Sequence, residues 1–277
     1  MKASSIVLYF LVSSSFIGCE PINKEHKKNT NFKSLADQEK FQGKHSLSEE
    51  SNVLPKGEWV EYPSLDGKSA RAYVVSPKQK SNQYLLLFHE WWGLNKHIQL
   101  EADIWQEKLR KVNVIAVDLY DGRVAQNRDE AKDLMQGTKQ ERIYEIIDAV
   151  LMQLPKQNMQ MCTMGWCFGG SWALKASIRA QEMSAATVMY YGMPIRDVDK
   201  LGKINGDVLF IYGAQDAWIN QEVAENFQKD MLQAHKEVNI LSFDADHAFA
   251  NPSSEHYNAK AASKANSEAL RYLNYKY

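Results

Sequence analysis

The stretch Met161–Gly170, MCTMGWCFGG, governs how the rest of the chain is read. A short apolar run leads into Gly165-Trp166-Cys167-Phe168-Gly169, and a helix-compatible segment follows. Small residues two before and two after a nucleophile are what a sharp strand-to-helix turn demands, because a Cβ there would meet the backbone as it doubles back. Such a corner lifts the central side chain off the sheet. It also leaves that side chain at a helix N-terminus, where partial positive charge favours a thiolate. A glycine-rich bend holding an inert cysteine reads the same in isolation, so the flanking chain has to decide.

Outward from this corner, apolar runs recur: RAYVV, YLLLFH, VNVIAVDLY, QMCTMGW, ATVMYY, DVLFIYG and VNILSF. Helical patterns separate most of them, at about 98–110, 141–153, 170–179 and 224–232, and 255–272 closes the chain as a helix. Many of the runs are continuously apolar instead of alternating, which is the pattern of parallel strands buried on both faces and covered by helices. The expected fold class is α/β: one mostly parallel, doubly wound sheet flanked by helices, with one or two early antiparallel strands, forming a single domain over 57–277. Ligands in such sheets sit beyond the carboxyl ends of the strands.

Those ends carry the chemistry. Glu90, Trp91 and Trp92 follow YLLLF, Cys167 follows the QMCTM run, Asp216 follows VLFIYG, and His247 follows VNILSF. Nucleophile, acid and base therefore occur in the order Cys167, Asp216, His247, the chain order of α/β-hydrolases. His247 takes the thiol proton or pairs with a thiolate as imidazolium, and Asp216 fixes the tautomer and orientation of the imidazole. Asp244 and Asp246 are rival orienters, but their closeness in chain to His247 suits ordinary loop roles. The backbone N–H groups of Phe168 and Trp91 are the candidate oxyanion hole. Glu90 at the end of a buried strand needs a partner, either in the site or in a structural bond.

The 277 residues carry a net charge of −1, which sets nucleic acid aside as a partner. The N-terminus has a separate reading. Lys2 precedes an uncharged, largely apolar run, and FIGC ending at Cys19 resembles the lipobox of bacterial lipoproteins. Residues 1–18 are expected to be a signal peptide of lipoprotein type, with Cys19 lipid-modified, and 19–56 a polar tether with room for a short helix at 34–41. A bacterial cell-envelope location, lipid-anchored or periplasmic, follows. Cys162 lies within a strand run and Cys167 just past its end, so a disulfide between them is not expected.

The pieces HEWWGLN, VDLYDGR, MGWCFGG, YYG, YGAQD and DHAFAN resemble the dienelactone hydrolases (carboxymethylenebutenolidases), over roughly 59–272. The resemblance implies an α/β-hydrolase fold and places that family's nucleophile on Cys167, its acid on Asp216, its base on His247 and its pre-catalytic glutamate on Glu90. It places oxyanion donors on Trp91 and Phe168, and aromatic pocket positions on Trp92 and Tyr191. The family grips a substrate carboxylate with two arginines. Here Arg123, just after Tyr120, is the one nearby candidate, and the second place holds Asn251. Tyr120, Trp218 and Phe249 complete the expected substrate contacts.

The resulting expectation is a cysteine hydrolase of a small-molecule ester or lactone, a monomer or weak dimer, with no metal or organic cofactor. A broad carboxylesterase is the alternative, favoured by Asn251, and a non-catalytic envelope binding lipoprotein is the third reading.

Overall fold

The structure is a computed structural model that describes Leu35, Gln38 and residues 52–277. The expected signal peptide, Cys19 and most of the expected tether lie outside the described residues. At the two described positions of that stretch, Leu35 is helical and buried, and Gln38 accepts a hydrogen bond from Trp218 Nε1 at 2.9 Å.

Eight strands form one sheet: β1 (Glu58–Pro63), β2 (Ser69–Val75), β3 (Gln83–Phe88), β4 (Asn113–Val117), β5 (Gln160–Trp166), β6 (Ser184–Tyr190), β7 (Asp207–Gly213) and β8 (Val238–Phe243). Their order is β1-β2-β4-β3-β5-β6-β7-β8. The first two strands pair antiparallel, β2 pairs antiparallel with β4, and every other pair is parallel. Helices α1 (Lys96–Leu109), α2 (Arg128–Gly137), α3 (Gln140–Gln153), α4 (Phe168–Ala180), α5 (Val198–Leu201), α6 (Gln221–Gln233) and α7 (Ala259–Lys276) connect and flank the strands. The expected mostly parallel α/β architecture is present.

The central strands are buried almost throughout because both faces are covered, and the innermost, LLLF of β3 and MCTMGW of β5, carry no charge. Four helices begin on asparagine. Asn95, Asn127, Asn220 and Asn258 each accept a hydrogen bond from a backbone N–H three residues on, at 2.9–3.2 Å. Each cap satisfies one of the orphan donors of a first turn and contributes about 1 kcal/mol.

Topology places the site. From β3 the chain crosses to β4 on one side and then to β5 on the other, so the connections leaving β3 and β5 diverge. A crevice opens at such a reversal. Glu90 leaves β3 and Cys167 leaves β5, on either side of it.

One buried cation ties this frame together. Arg142 of α3 donates to Asp121 Oδ1 at 2.6 Å, to Asp66 Oδ2 at 3.2 Å and to the Ser69 carbonyl at 2.8 Å. It thereby joins a helix to the β1–β2 turn and to the loop after β4. Removing it leaves two carboxylates uncompensated, though both keep some access to water, which limits the cost. Arg142→Ala is expected to lower the unfolding free energy in urea by about 2 kcal/mol, with the helical signal at low urea unchanged.

Candidate active site

The corner at Cys167 is built by contact, not by sequence alone. Cys167 has φ +53°, in the region L-residues avoid. It is held there because its N–H donates to the Tyr190 carbonyl at 2.9 Å and its carbonyl accepts from Ser171 N–H at 3.3 Å. A Cβ on Gly165 would lie 2.3 Å from the Gly169 carbonyl oxygen, and one on Gly169 would lie 2.0 Å from the Phe88 oxygen. Both glycines are therefore required by close backbone approach.

The residues brought together match the expected set. His247 Nε2 lies 3.3 Å from Cys167 Sγ, and His247 Nδ1 lies 2.5 Å from Asp216 Oδ2. Asp216 Oδ1 accepts from Trp218 N–H at 2.8 Å and Ile219 N–H at 3.0 Å, so the carboxylate is fixed from both sides. The rivals serve the loop: Asp246 Oδ1 accepts from His247 N–H at 2.7 Å, and Asp244 Oδ1 from Gln215 Nε2 at 2.7 Å. Cys162 and Cys167 are both free thiols.

Burial dominates the electrostatics. It works to raise the Asp216 pKa, but the His247 ring, through charge and hydrogen bond, and the two backbone N–H groups outweigh it and hold the carboxyl below its usual range. Burial pushes the Cys167 thiol well up, the Glu90 charge adds to this, and the Phe168 N–H pulls the other way. The helix N-terminus by itself pointed to a resting thiolate. Desolvation and the facing carboxylates outweigh it, so the sulfur rests as a thiol.

Glu90 is buried beside the triad. Its Oε2 accepts from Asn251 Nδ2 at 2.5 Å. Burial pushes its carboxyl up to about 7, against the His247 charge, the Asn251 bond and the nearby Tyr191 hydroxyl. That hydroxyl and Glu90 Oε1 lie close without forming a well-shaped hydrogen bond.

The aromatic positions line the same edge. Tyr191 stands 5.1 Å from His247 and 5.6 Å from Phe249, ring centre to ring centre, and Trp218 stands 5.9 Å from His247. Trp92 packs edge-on against Trp91 at 5.2 Å, and Tyr120 packs on Phe168 at 5.7 Å. Arg123 is engaged elsewhere: its Nε donates to the Tyr120 carbonyl at 3.0 Å and a terminal nitrogen to Thr138 Oγ1 at 3.3 Å, at the end of α2.

Three residues escaped the sequence reading. His89 Nε2 accepts from Leu119 N–H at 3.1 Å, so Nδ1 carries the proton and donates to the Glu90 carbonyl at 2.6 Å. This neutral histidine, its pKa lowered by burial, joins the ends of β3 and β4 and orients the peptide after Glu90. His97 and Glu101 of α1 line a small recess with Glu90, Trp166 and Asn251, and burial pushes Glu101 up to about 7. A lone histidine after a strand and polar positions on an amphipathic helix give no signal in sequence. Among the described residues no group of three or more His, Cys, Asp or Glu is placed to hold a metal ion.

A strained cysteine corner backed by imidazole and carboxylate is the arrangement of a cysteine-nucleophile hydrolase. Residues 70–276 match the sequence profile of the dienelactone hydrolase family. The chain belongs to that family. A relative in Aquifex aeolicus, provisionally named a carboxymethylenebutenolidase, is 28% identical over 230 residues, covering 78% of this chain and 97% of its own. The carboxymethylenebutenolidase of Pseudomonas putida is 26% identical over 234 residues, covering 78% and 95%. A crystal structure from Klebsiella pneumoniae, provisionally named a dienelactone hydrolase, shares the fold with a TM-score of 0.68 at 21% identity, over 79% of this chain and 99% of its own. The dienelactone hydrolase arrangement read from sequence, with Cys167, Asp216 and His247 as triad, is thus met in both family and geometry.

The Glu90 carboxyl sets a pH dependence. It keeps its proton to about pH 7 when folded, against a value of 4.5 for an ordinary glutamate. The native state therefore binds more protons across that window, and this contribution to stability is complete below it and lost as pH rises through it. Between about pH 5 and pH 8, Glu90→Gln is expected to lose about 2–3 kcal/mol less stability than wild type in urea titrations. Identical pH dependence in the two proteins would show that Glu90 is ionised in the native state throughout.

Proposed function

We propose that this protein hydrolyses small carboxylic esters and lactones through a thioester on Cys167. The observation that carries this reading is the 3.3 Å approach of His247 Nε2 to Cys167 Sγ with Asp216 2.5 Å behind the ring. His247 takes the thiol proton as the sulfur bonds to the substrate carbonyl carbon, and the carbonyl π pair moves onto oxygen. Phe168 N–H, already directed at the sulfur, and Trp91 N–H are assigned to that oxyanion. Collapse of the tetrahedral species breaks the C–O bond, and the imidazolium returns its proton to the leaving alcohol. In a lactone the alcohol stays attached to the acyl group. Water, deprotonated by His247, then cleaves the thioester and restores the thiol.

A narrower substrate class is favoured by Asn251. It stands where the resemblance puts an arginine, and its amide is bonded to Glu90. Arg123 is tied to the Tyr120 carbonyl and to Thr138. The small recess beside Asn251 is lined by Glu90 and Glu101. With no guanidinium among the described residues shown to reach the triad and hold a carboxylate, the acyl group is assigned as uncharged, walled by Trp92, Tyr191, Trp218 and Phe249. The setting proposed for this activity is the bacterial cell envelope, with a lipid anchor on Cys19. The support is the charge-then-apolar N-terminus ending in FIGC.

Cys167→Ala is expected to abolish hydrolysis of small aryl esters and lactones, and His247→Gln to lower kcat by about 10⁴-fold. Retained turnover by Cys167→Ala overturns the cysteine-hydrolase reading. Among matched lactones, wild type is expected to prefer the neutral compound over the carboxylate-bearing one by kcat/KM, and Asn251→Arg to shift that preference toward the carboxylate by about tenfold. Preference for the anionic lactone by wild type removes the uncharged-substrate assignment while leaving the chemistry intact.

A further inference from the structure

The charge of this chain is sorted between the two ends of its sheet. The segments that enter the strands at the end where the parallel strands begin hold eight Lys and Arg residues against Glu182 and Glu237. The segments that leave the strands at the catalytic end hold three, Lys68, Arg123 and Arg196, against nine Asp and Glu. A chain with a net charge of −1 is therefore strongly polarised along its strands.

The basic residues are spread over a face. Lys78 and Lys80 precede β3, Arg110 and Lys111 precede β4, Lys156 precedes β5 and Lys203 precedes β7. All six are exposed. Eight strands at ordinary spacing set this face at roughly 34 Å across. Glu107 pairs with Lys56 at 3.6 Å and Glu58 lies beside it, offsetting part of the charge at one corner. At that corner Val53 and Leu54 are exposed, at 58% and 77%, just before the chain enters β1.

We infer that this face docks on an anionic lipid bilayer and turns the catalytic edge away from it. The reading goes beyond the hydrolase activity and takes its setting from the envelope location proposed above. Three observations favour lipid over other polyanions. The charges form a broad surface, not a stripe that tracks a phosphate backbone. All but one are lysine, a hydrated point charge, where nucleic-acid surfaces favour arginine and stacking aromatics. The neighbouring Val53 and Leu54 are apolar side chains suited to the headgroup boundary. The acidic catalytic edge opposes docking the other way round.

The test uses the full chain carrying Cys19→Ser, so that no lipid is attached. It is sedimented with vesicles of three parts phosphatidylcholine to one part phosphatidylglycerol, and with phosphatidylcholine alone. The comparison between vesicles cancels any binding by the apolar run at 3–18. The expected result is at least about tenfold stronger binding to the anionic vesicles, weakened by salt. Lys78→Glu/Lys80→Glu/Lys111→Glu should lose that preference while keeping ester hydrolysis, and the corresponding triple Arg variant should retain it. Equal binding to both vesicles, an unchanged preference in the triple Glu variant, or preferential binding of a duplex oligonucleotide over the anionic vesicles would each overturn the inference. A protein that shows the preference but hydrolyses no ester leaves the docking face standing and removes only the catalytic reading.

Discussion

The structure turns on how closely the backbone of the β5–α4 corner approaches the end of β3. Gly169 lies so near the Phe88 carbonyl that no side chain fits between them, and this contact sets where α4 can begin. The position of α4 in turn fixes Cys167 in its positive-φ conformation and aims the Phe168 N–H at the sulfur. Backbone geometry of this kind is costly for a cysteine, of order 1–3 kcal/mol. It persists because the bonds to Tyr190 and Ser171 and the packing of two buried strands over-determine it. The triad is a consequence: once the sulfur is held above the sheet edge, loops after β7 and β8 need only bring a carboxylate and an imidazole to the same edge.

The second constraint is electrostatic. Cys167, Glu90, Asp216 and His247 are taken from water together, so the proton affinities of Cys167, Glu90 and Asp216 depend on their neighbours. Asp216 stays ionised because it has three partners for its charge, whereas Glu90 has one well-formed bond and a carboxyl poised near neutrality. Two carboxyl groups that both feel the charge of the same histidine thus hold different protonation states for reasons visible in their hydrogen bonds.

Much of this was legible in the chain. Strands β2–β8 and the helices α1, α3, α4, α6 and α7 show as apolar runs and helical periods, and the triad shows because glycine spacing marks the corner and chain order marks its partners. Strand β1, the second of the early antiparallel strands allowed for, carries no apolar run to mark its place because EWVEYP is an exposed edge strand with charges and a proline. Helix α2 was missed because only Ala131 and Met135 of its ten residues are buried, too few for a period. The thiol's protonation and the orientation of Arg123 were not legible either. The first is a balance of burial against a helix terminus, and the second depends on Thr138, fifteen residues away at the end of a different element.

The sealing of Cys167 has one more consequence. Thiolates attack peroxides and disulfides that can reach them, and the first oxidised species on sulfur leads toward acids that are not readily reversed. Here the sulfur is fully covered, and burial favours its protonated form. The same burial that favours the protonated sulfur also makes it a poor target for oxidants.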